Sequence, residues 1–453
     1  MAGVDQGASL PVRIAGLRRR GEYRAALEAA TAAARAAEER APSLESVAAL
    51  VELGRLRDDF GDYEAAEAAL VTAAAHASSL DGGAADRVLA LALLADVARF
   101  GARLTEAERH AVEALAVAEV HLQAGDPARV HALVSAALVR VERGADDEAG
   151  RLLDEALAAS ERLGEPGDRV ELLARVRDAA GVRHRERGRY AEAAAELEAA
   201  LELAERAFGP ESLEVANVLN DIGMTGKFAG RFEDAERVYR RALAILQRAF
   251  GEEHPDVASL YHNPGGLAHA RGDFAAAEVP ARRAVEIRER VLGRDHPAAV
   301  MDRAALAPIL DGLGRSDEAE AILREAVERL SASLGPDHPE VAVNLNNLAA
   351  LVQRRGELDE AEALYRAALE RKERALGPAS PALAITLNNL ATIARRRGRA
   401  HEAEALYRRA LAILEAGVEP AHPNLLATRR NLAALLRSVG RDVEADGPGV
   451  SAG

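Results

Sequence analysis

A glycine that recurs every 42 residues constrains the fold of this chain more than any other feature. The spacing is constant from one glycine to the next through the second half of the sequence, at Gly188, Gly230, Gly272, Gly314, Gly356, Gly398 and Gly440. Upstream the series continues at intervals of 40 to 44 residues, at Gly21, Gly61, Gly101 and Gly144. A period of this length is typical of repeat arrays in which each repeat is one supersecondary unit.

Each of these glycines separates two amphipathic segments. The segment before Gly356 (339–355) and the segment after it (357–376) both carry apolar residues at i, i+3, i+4 and i+7, which is the period of an α-helix with one buried face. A glycine between two helices fits a helix C-terminus that needs a left-handed backbone. The sequence therefore predicts a repeat of helix, tight turn, helix and short loop.

The loops between repeats indicate how the first helices begin. They read GPESLEVA at 209, GEEHPDVA at 251, GRDHPAAV at 293, GPDHPEVA at 335 and GPASPALA at 377. Proline is favoured at the first position of a helix, where its missing N–H has no partner to lose. In four of these loops the residue before this proline is histidine or serine, and in GPESLEVA Ser212 holds the same repeat position before Leu213; serine is a preferred N-cap. We therefore predict N-caps at the positions His254, His296, His338, His422, Ser212 and Ser380.

Composition excludes several classes of function. Histidines one repeat apart are too far from each other to share a metal ion, and the chain has no cysteine, so we expect no metal and no cofactor. A net charge of −15 argues against binding to nucleic acid. No run of 18 apolar residues is present, so we expect no membrane span and a soluble, cytoplasmic protein. No catalytic motif is found, and we do not expect an enzyme.

The repeat pattern divides the chain into four parts. We expect a flexible N-terminus over 1–10, degenerate repeats over 11–187, regular 42-residue repeats with a closing helix over 188–440, and a disordered tail over 441–453. In total the pattern predicts an all-α protein of about ten helix pairs and one closing helix near 423–439.

The motifs inside the regular repeats resemble a known family. LNNLA at 345 and 387, EAEALYR at 360 and 402, and the HP loops resemble the tetratricopeptide repeats of kinesin light chains. The resemblance is specific over 188–440 and generic over 11–187. It implies a right-handed superhelical solenoid of antiparallel helix pairs whose concave face grips extended peptides. No heptad coiled coil precedes the repeats in this sequence, so we do not infer a motor partner.

Helical geometry separates two faces of a first helix. In 343–354, one side carries Leu345, Leu348, Ala349 and Val352 and should pack on neighbouring helices. The other side is the one that faces the groove in the family. We predict a peptide-binding groove on it, formed by Asn263, Asn346, Asn347, Arg354, Asn388, Asn389, Arg395, Arg396, Asn431 and Arg437.

The asparagines in this set allow two interpretations. A side-chain amide donates and accepts hydrogen bonds, so a column of them could pair with the backbone of an extended ligand. Alternatively, the asparagines bond neighbouring helices and specify how the repeats stack. The arginines make the C-terminal half of the groove basic, which would favour an acidic segment, although cations near a helix C-terminus also favour the helix dipole without any ligand.

Two further features of the sequence are prolines inside predicted helices and acidic residues at the start of second helices. Pro264, Pro280 and Pro308 fall inside predicted helices, where proline removes a hydrogen bond. They either form a hinge or are tolerated substitutions. The acidic residues that begin second helices, such as Glu360 and Glu362, are expected to face solvent near the positive end of the dipole.

The expected function is therefore that of a protein- or peptide-binding scaffold. The ligand would be an extended segment, acidic in the interpretation above, held in the groove of the C-terminal repeats. The alternative is a regulatory or sensor subunit that acts on a separate NTPase or protease. The identity of the ligand, the oligomeric state and any binding by residues 11–187 stay open.

Overall fold

The computed structural model describes residues 10–38, 41–101, 103–164, 166–418, 420 and 422–446. The chain divides into two compact units. The N-terminal unit contains residues 1–184 and 190–260, and the C-terminal unit contains residues 185–189 and 261–453. The units divide within the helices Pro166–Glu186 and Pro255–Ala270. The boundary predicted from the sequence at 187/188 marks where the repeats become regular, and it stays a prediction.

All regular elements of the described residues are helices, arranged as ten consecutive pairs and a closing helix, as predicted. The first helix of the eighth pair is split into α15 and α16, and that of the tenth begins with a 3-10 turn at Pro381–Leu383. The helices are α1 (Leu10–Arg19), α2 (Tyr23–Glu38), α3 (Leu44–Asp59), α4 (Tyr63–Ser78), α5 (Ala84–Phe100), α6 (Leu104–His121), α7 (Pro127–Glu142), α8 (Asp146–Glu161), α9 (Pro166–Glu186), α10 (Tyr190–Phe208), α11 (Leu213–Phe228), α12 (Phe232–Phe250), α13 (Pro255–Ala270), α14 (Phe274–Leu292), α15 (Pro297–Ala305), α16 (Ala307–Gly312), α17 (Ser316–Leu334), α18 (Pro339–Arg355), α19 (Leu358–Leu376), α20 (Ala384–Arg396), α21 (Ala400–Gly417), α22 (Pro423–Ser438) and α23 (Asp442–Ala445). None of the described helices is long and apolar enough to cross a bilayer.

The glycine turns adopt the expected backbone with one exception. Gly356 ends α18 with φ of 90°, in the left-handed region where a side chain would be strained. The other glycines of the series also have positive φ, except Gly101, whose φ is −76°. The prediction of a left-handed turn is wrong at Gly101, because the helix there ends with its amide bonded back to Val97 in an ordinary right-handed turn.

The predicted N-caps are confirmed. The Nδ1 atoms of His296, His338 and His422 each accept a hydrogen bond at 3.2 Å from the amide two residues ahead. His254 does the same toward Asp256. The serines at the equivalent positions accept through their hydroxyl groups. Each histidine nitrogen must therefore be unprotonated to act as a cap.

The packing face of the first helices is confirmed in α18. Leu345, Leu348, Ala349 and Val352 are all buried and belong to one core with Tyr365 of α19. Size complementarity fixes the contact between the two helices of a pair, because a small residue on the first helix faces a large one on the second. The clearest case lies in another pair, where a Cβ atom built at Gly223 would come within 2.4 Å of the Tyr239 ring.

Arginine–carboxylate bridges join the second helices of successive pairs. Glu362 accepts hydrogen bonds from Arg366 on its own helix and from Arg399 one repeat later. Glu404 repeats the pattern with Arg408 and Arg441. The expectation that Glu362 faces solvent is wrong: it is buried, because the guanidinium groups above and below it replace its water.

The three interior prolines have different local effects. Helix α13 continues through Pro264, and α14 continues through Pro280. Pro308 coincides with a break, since Leu306 separates α15 from α16 and its amide bonds to Arg303 instead of continuing the α-helical ladder. Whether these positions form a hinge stays a prediction.

The chain beyond the closing helix is ordered for a few residues. Helix α23 lies in the segment 441–453 that we expected to be disordered, and it is held by buried Ala445 and by Arg441, which bonds to Glu404. Residues 447–453, like residues 1–9 of the expected flexible N-terminus, lie outside the described residues.

In the N-terminal unit, the first helix pairs contact the sixth. The Leu213 amide at the start of α11 donates to the Tyr23 hydroxyl of α2 at 3.1 Å. Arg24 donates to the carbonyl of Phe250, and the Phe60 ring lies 4.9 Å from the Phe250 ring. The first two helix pairs of this unit therefore pack against its sixth pair.

Candidate functional site

The predicted groove residues lie on one face of the first helices in the C-terminal unit, which we call the first-helix face. It is formed by α13, α18, α20 and α22. The set divides by exposure. Asn347, Arg354, Arg396 and Arg437 are exposed, whereas Asn263, Asn346, Asn388, Asn389, Arg395 and Asn431 are half-buried.

Some of the asparagines bond to neighbouring helices. Asn388 of α20 accepts a hydrogen bond of 2.9 Å from the side-chain amide of Asn431 of α22. The side-chain oxygen of Asn346 in α18 accepts one of 3.1 Å from the Thr386 hydroxyl of α20. These contacts agree with a role of the asparagines in stacking. An amide has further hydrogen-bonding capacity, so the contacts leave a role in ligand binding open.

Asn346 is also the outer end of a buried polar chain that the sequence did not reveal. The Lys372 amino group of α19 donates to the Thr386 hydroxyl at 3.2 Å and to the Ala382 carbonyl at 3.3 Å. Burial lowers the pKa of Lys372 below its ordinary value. At the Thr386 position of the preceding repeat, Asn344 is buried and bonds to the Glu340 carbonyl. Thr386 thus joins α20 to the preceding pair, whereas Asn344 satisfies its amide within its own helix.

Two of the predicted arginines are neutralised within the protein. Arg354 forms an ion pair with Asp311 of α16. Arg437 forms one with Asp446 at 2.7 Å, just beyond the closing helix. Their charges are therefore offset before any ligand arrives.

Three arginines on α20 and α22 are different. The side chains of Arg395, Arg396 and Arg430 form neither an ion pair nor a hydrogen bond with any described residue. In contrast, the arginines of α19 and α21 bond to carboxylates or carbonyl groups of the protein, as Arg366 and Arg408 do. The first-helix face therefore carries a local excess of positive charge in a protein whose net charge is −15.

Arg430 was not among the predicted groove residues. Arg430 occupies the position of Asn346 two repeats later, so the repeat alignment places it on the same face. It was left out because asparagine was the residue sought at that position. Its lack of a partner could not be read from the sequence, because pairing depends on which carboxylates neighbouring repeats bring close.

Exposed apolar side chains accompany the arginines. Val343 of α18 is 39% exposed, and Ile385 of α20, one repeat later, is 46% exposed. Each precedes an asparagine of the predicted set by four residues, so it lies on the same side of its helix as Asn347 or Asn389. The face thus combines apolar contact, amide groups and positive charge, which together suit a peptide. In the described part of the chain, no group of three histidine or acidic side chains is placed to hold a metal ion.

Comparisons with known proteins identify the family. The tetratricopeptide repeat model matches residues 172–247, 227–290, 299–374, 340–416 and 382–446, which together make up more than half of the chain. A search of curated protein sequences finds no match.

Solved structures give further similarities. The chain is 29% identical to BtubC (BKLC) from P. vanneervenii, with coverage of 51% of this chain and 91% of that one and a TM-score of 0.42. It is 24% identical to a putative kinesin light chain with TPR-like repeats from Podosopora anserina, with coverage of 43% and 92% and a TM-score of 0.37.

A third similarity extends over more of the chain. A Rap protein, solved in complex with Competence and Sporulation Factor, is 15% identical, with coverage of 82% of this chain and 98% of that one and a TM-score of 0.57. At this identity the likeness shows the fold, an all-α solenoid of helix pairs. The repeat matches over more than half of its length establish that this chain belongs to the tetratricopeptide repeat family.

Proposed function

We propose that the protein is a non-enzymatic scaffold whose first-helix face binds an extended acidic segment of a partner protein. Membership of the tetratricopeptide repeat family supports a protein-binding role in general. The finer proposal, an acidic ligand on this face, rests on one observation: Arg395, Arg396 and Arg430 lack partners among the described residues.

Unpaired arginines favour an anionic ligand energetically. An arginine already paired with a carboxylate must lose that contact to bind a ligand, so the net gain is small. An unpaired arginine loses only water, and a charge-assisted hydrogen bond to a carboxylate is worth about 1.5–3 kcal/mol. Three such residues on adjacent helices also raise the local concentration of an anionic segment and its association rate.

The neighbouring groups suit an extended backbone with occasional apolar side chains. Asn347 is exposed, and the half-buried side chain of Asn389 forms no hydrogen bond with described residues, so both side-chain amides can pair with a peptide backbone. Val343 and Ile385 provide apolar contact beside them. A matching ligand would combine acidic residues with one or two aliphatic or aromatic residues.

The test is a selection from a random peptide display library on the immobilised protein, followed by affinity measurements with individual peptides. We expect enrichment of Asp and Glu, and a loss of about tenfold or more in affinity for the Arg396→Gln, Arg430→Gln double variant. The matched control is Arg366→Gln, Arg408→Gln, which removes the same charge from second helices.

The controls decide between the groove and general charge attraction. The proposal is supported if the first-helix variant loses binding and the second-helix variant keeps it. It is wrong if both double variants lose affinity equally, or if the selected peptides carry no acidic residues.

A further inference from the structure

Two successive repeats of the C-terminal unit carry the same polar residues but bond them differently. In one of them, the Thr386 hydroxyl of α20 donates to the Asn346 side chain of α18 at 3.1 Å. Thr428 of α22 and Asn388 of α20 occupy the equivalent positions, one repeat later. The Thr428 hydroxyl donates instead to the carbonyl of Asn424 in its own helix, at 2.8 Å. The two threonines therefore have different partners in equivalent surroundings.

The bond within the same helix is the ordinary one for this position. A threonine inside a helix commonly donates to the carbonyl four residues earlier. Asn344, one repeat before Thr386, follows the same rule, since its side-chain amide donates to the Glu340 carbonyl at 2.8 Å. Thr386 is the exception that needs an explanation.

A lysine explains the exception. The carbonyl that Thr386 would use within its own helix is that of Ala382, and the Lys372 amino group of α19 already donates to it at 3.3 Å. The same amino group donates to the Thr386 hydroxyl at 3.2 Å. A lysine ammonium group only donates, and a hydroxyl has a single proton to give. Thr386 therefore accepts from Lys372 and directs its own proton to Asn346.

The flanking repeats lack this lysine. The residue equivalent to Lys372 is Leu330 one repeat earlier and Leu414 one repeat later. Both leucines are buried in the core and have no polar group that could compete for a carbonyl. Where leucine occupies the position, the polar residue of the next first helix bonds within its own helix. Where lysine occupies it, that residue bonds across the stack.

The partner of the threonine decides which asparagine is used in the stack. In the later repeat, the side-chain oxygen of Asn388 accepts its hydrogen bond from Asn431 at 2.9 Å. The residue equivalent to Asn431 is Asn389, and the side chain of Asn389 forms no hydrogen bond with described residues. Because Thr386 already satisfies the side-chain oxygen of Asn346, Asn389 is not needed there.

An asparagine that is free of the stack suits the groove. Its amide both donates and accepts, so it can pair with the backbone of a ligand. An amide that is already bonded must first lose that contact, and the net gain on binding is smaller. Arg396, which has no partner among the described residues, follows Asn389 by seven residues on the same side of α20. A contact to the ligand backbone would therefore lie beside a contact to its carboxylates.

We propose that Lys372 is a positioning residue of the ligand site: it turns Thr386 toward Asn346 and thereby keeps the Asn389 side chain available for the backbone of an extended ligand. The inference rests on the proposed function for the identity of the ligand, whereas the arrangement of these side chains does not depend on it. It also assigns the two roles that the sequence left open, because Asn431 acts in stacking and Asn389 in binding.

The first experiment needs no ligand. In the full chain labelled with 15N at asparagine, NMR measures the hydrogen exchange of the side-chain amides near pH 7. We expect the slower amide proton of Asn431 to exchange about threefold or more slowly than both protons of Asn389. Lys372→Leu copies the residue of the flanking repeats, so this variant is expected to fold, and circular dichroism checks it. In this variant Thr386 should bond within its own helix, and Asn389 should then donate to Asn346 and exchange as slowly as Asn431.

The second experiment measures the affinity for a display-selected acidic peptide by isothermal titration. Asn389→Ala and Lys372→Leu should each weaken binding by about threefold or more. The double variant should bind no more weakly than either single variant, because the lysine acts through the asparagine. Thr386→Val changes no charge and should weaken binding by the same factor, and Thr386→Ser should restore it. The matched control is Lys227→Leu, which removes the one other lysine of the chain and should change the affinity by less than about twofold.

The two experiments separate this proposal from the proposed function. The role of Lys372 is overturned if Asn389 and Asn431 exchange alike in the wild type, or if Lys372→Leu leaves the exchange of Asn389 unchanged. It is also overturned if the affinity losses of Lys372→Leu and Asn389→Ala add, since the lysine would then act through its charge. If no acidic peptide binds but the exchange rates change as expected, the proposed function is wrong and the control of Asn389 by Lys372 is supported.

Discussion

Replacing Gly223 by alanine tests whether size complementarity sets the packing within a helix pair. A Cβ atom at this position would lie 2.4 Å from Cε1 of Tyr239 and 2.7 Å from two other ring atoms. Ordinary contact begins at 3.4 Å, so the ring would have to move by about 1 Å. Tyr239 is 1% exposed, and the surrounding core leaves it little room.

The expected magnitude follows from two opposing effects. Overpacking a core by one methyl group costs about 1–3 kcal/mol. Alanine is favoured over glycine inside a helix by about 1 kcal/mol. We therefore expect a net destabilisation of about 1–2 kcal/mol for Gly223→Ala, felt mainly in the α11–α12 pair and in the helices packed against it, which include α2 as well as the sequence neighbour α10.

The next repeat provides a matched control. Gly265 occupies the equivalent position of α13, and Ala281 takes the place of Tyr239. A Cβ atom there would meet the Ala277 carbonyl at 3.3 Å and the Ala281 side chain at 3.4 Å. We expect Gly265→Ala to change stability by less than about 1 kcal/mol.

Native-state hydrogen exchange is the appropriate assay, since repeat arrays can unfold in parts and violate two-state behaviour. Protection of the α11 and α12 amides should fall in Gly223→Ala. In a Tyr239→Ala background the same substitution should become neutral or stabilising, which corresponds to a coupling energy of about 1–3 kcal/mol. The packing argument fails if the two glycine substitutions cost the same, or if the coupling is absent.

Three further predictions concern ionisable groups. His422→Ser should keep the N-cap at every pH, whereas the wild type should lose up to about 1 kcal/mol of unfolding free energy relative to this variant as the pH falls below about 6. The reason is that burial lowers the pKa of His422, so the unfolded state takes up the proton first. Urea unfolding at several pH values measures the difference. The stability of the wild type should rise between neutral pH and the ordinary lysine pKa of 10.5, and Lys372→Met should remove this rise. Burial lowers the pKa of Lys372, so in that range the unfolded state binds one proton more than the folded state. Equal slopes of unfolding free energy against pH in the two proteins would contradict this. Glu362→Gln should lower the free energy of unfolding by about 1 kcal/mol near pH 7. The difference from the wild type should shrink as the pH falls below 4.5, because the hydrogen bond from Arg399 holds the pKa of Glu362 below that value. A pH-independent difference would argue against the ion pairs.

Much of the fold could be predicted because it is local and repeated. The 42-residue spacing, the amphipathic period and the proline loops predicted the ten pairs, the closing helix and the N-caps, since each depends on residues close in sequence. The packing face of α18 followed from helical geometry alone. At Gly101 the same reasoning was wrong, because a right-handed turn there needs no special residue.

Other features depend on neighbours that local patterns do not reveal. Glu362 looked like a solvated residue at the start of a helix, but an arginine one repeat away buries it. Lys372 and Thr386 form an internal chain only because two helix pairs bring them together. The packing of the first helix pair of the N-terminal unit against the sixth depends on contacts such as that between Tyr23 and Leu213, and no repeat period indicates which distant pairs meet.

The candidate site was predicted in part. Periodicity placed the asparagines and arginines on one side of their helices, because that side follows from 100° per residue. It could not separate Arg354 and Arg437, which have carboxylate partners, from Arg395 and Arg396, which have none among the described residues. That distinction is what gives the site its charge.

Photo-crosslinking of a display-selected acidic peptide to defined positions of the full chain tests directly whether the first-helix face is where the ligand binds. A benzoylphenylalanine residue would replace Val343 on the first-helix face, and in a control protein it would replace Val279, which is 73% exposed on the second helix α14. We expect an adduct at position 343 that excess unlabelled peptide suppresses, and none at position 279. Crosslinking at 279 alone, or equally at both positions, would contradict it.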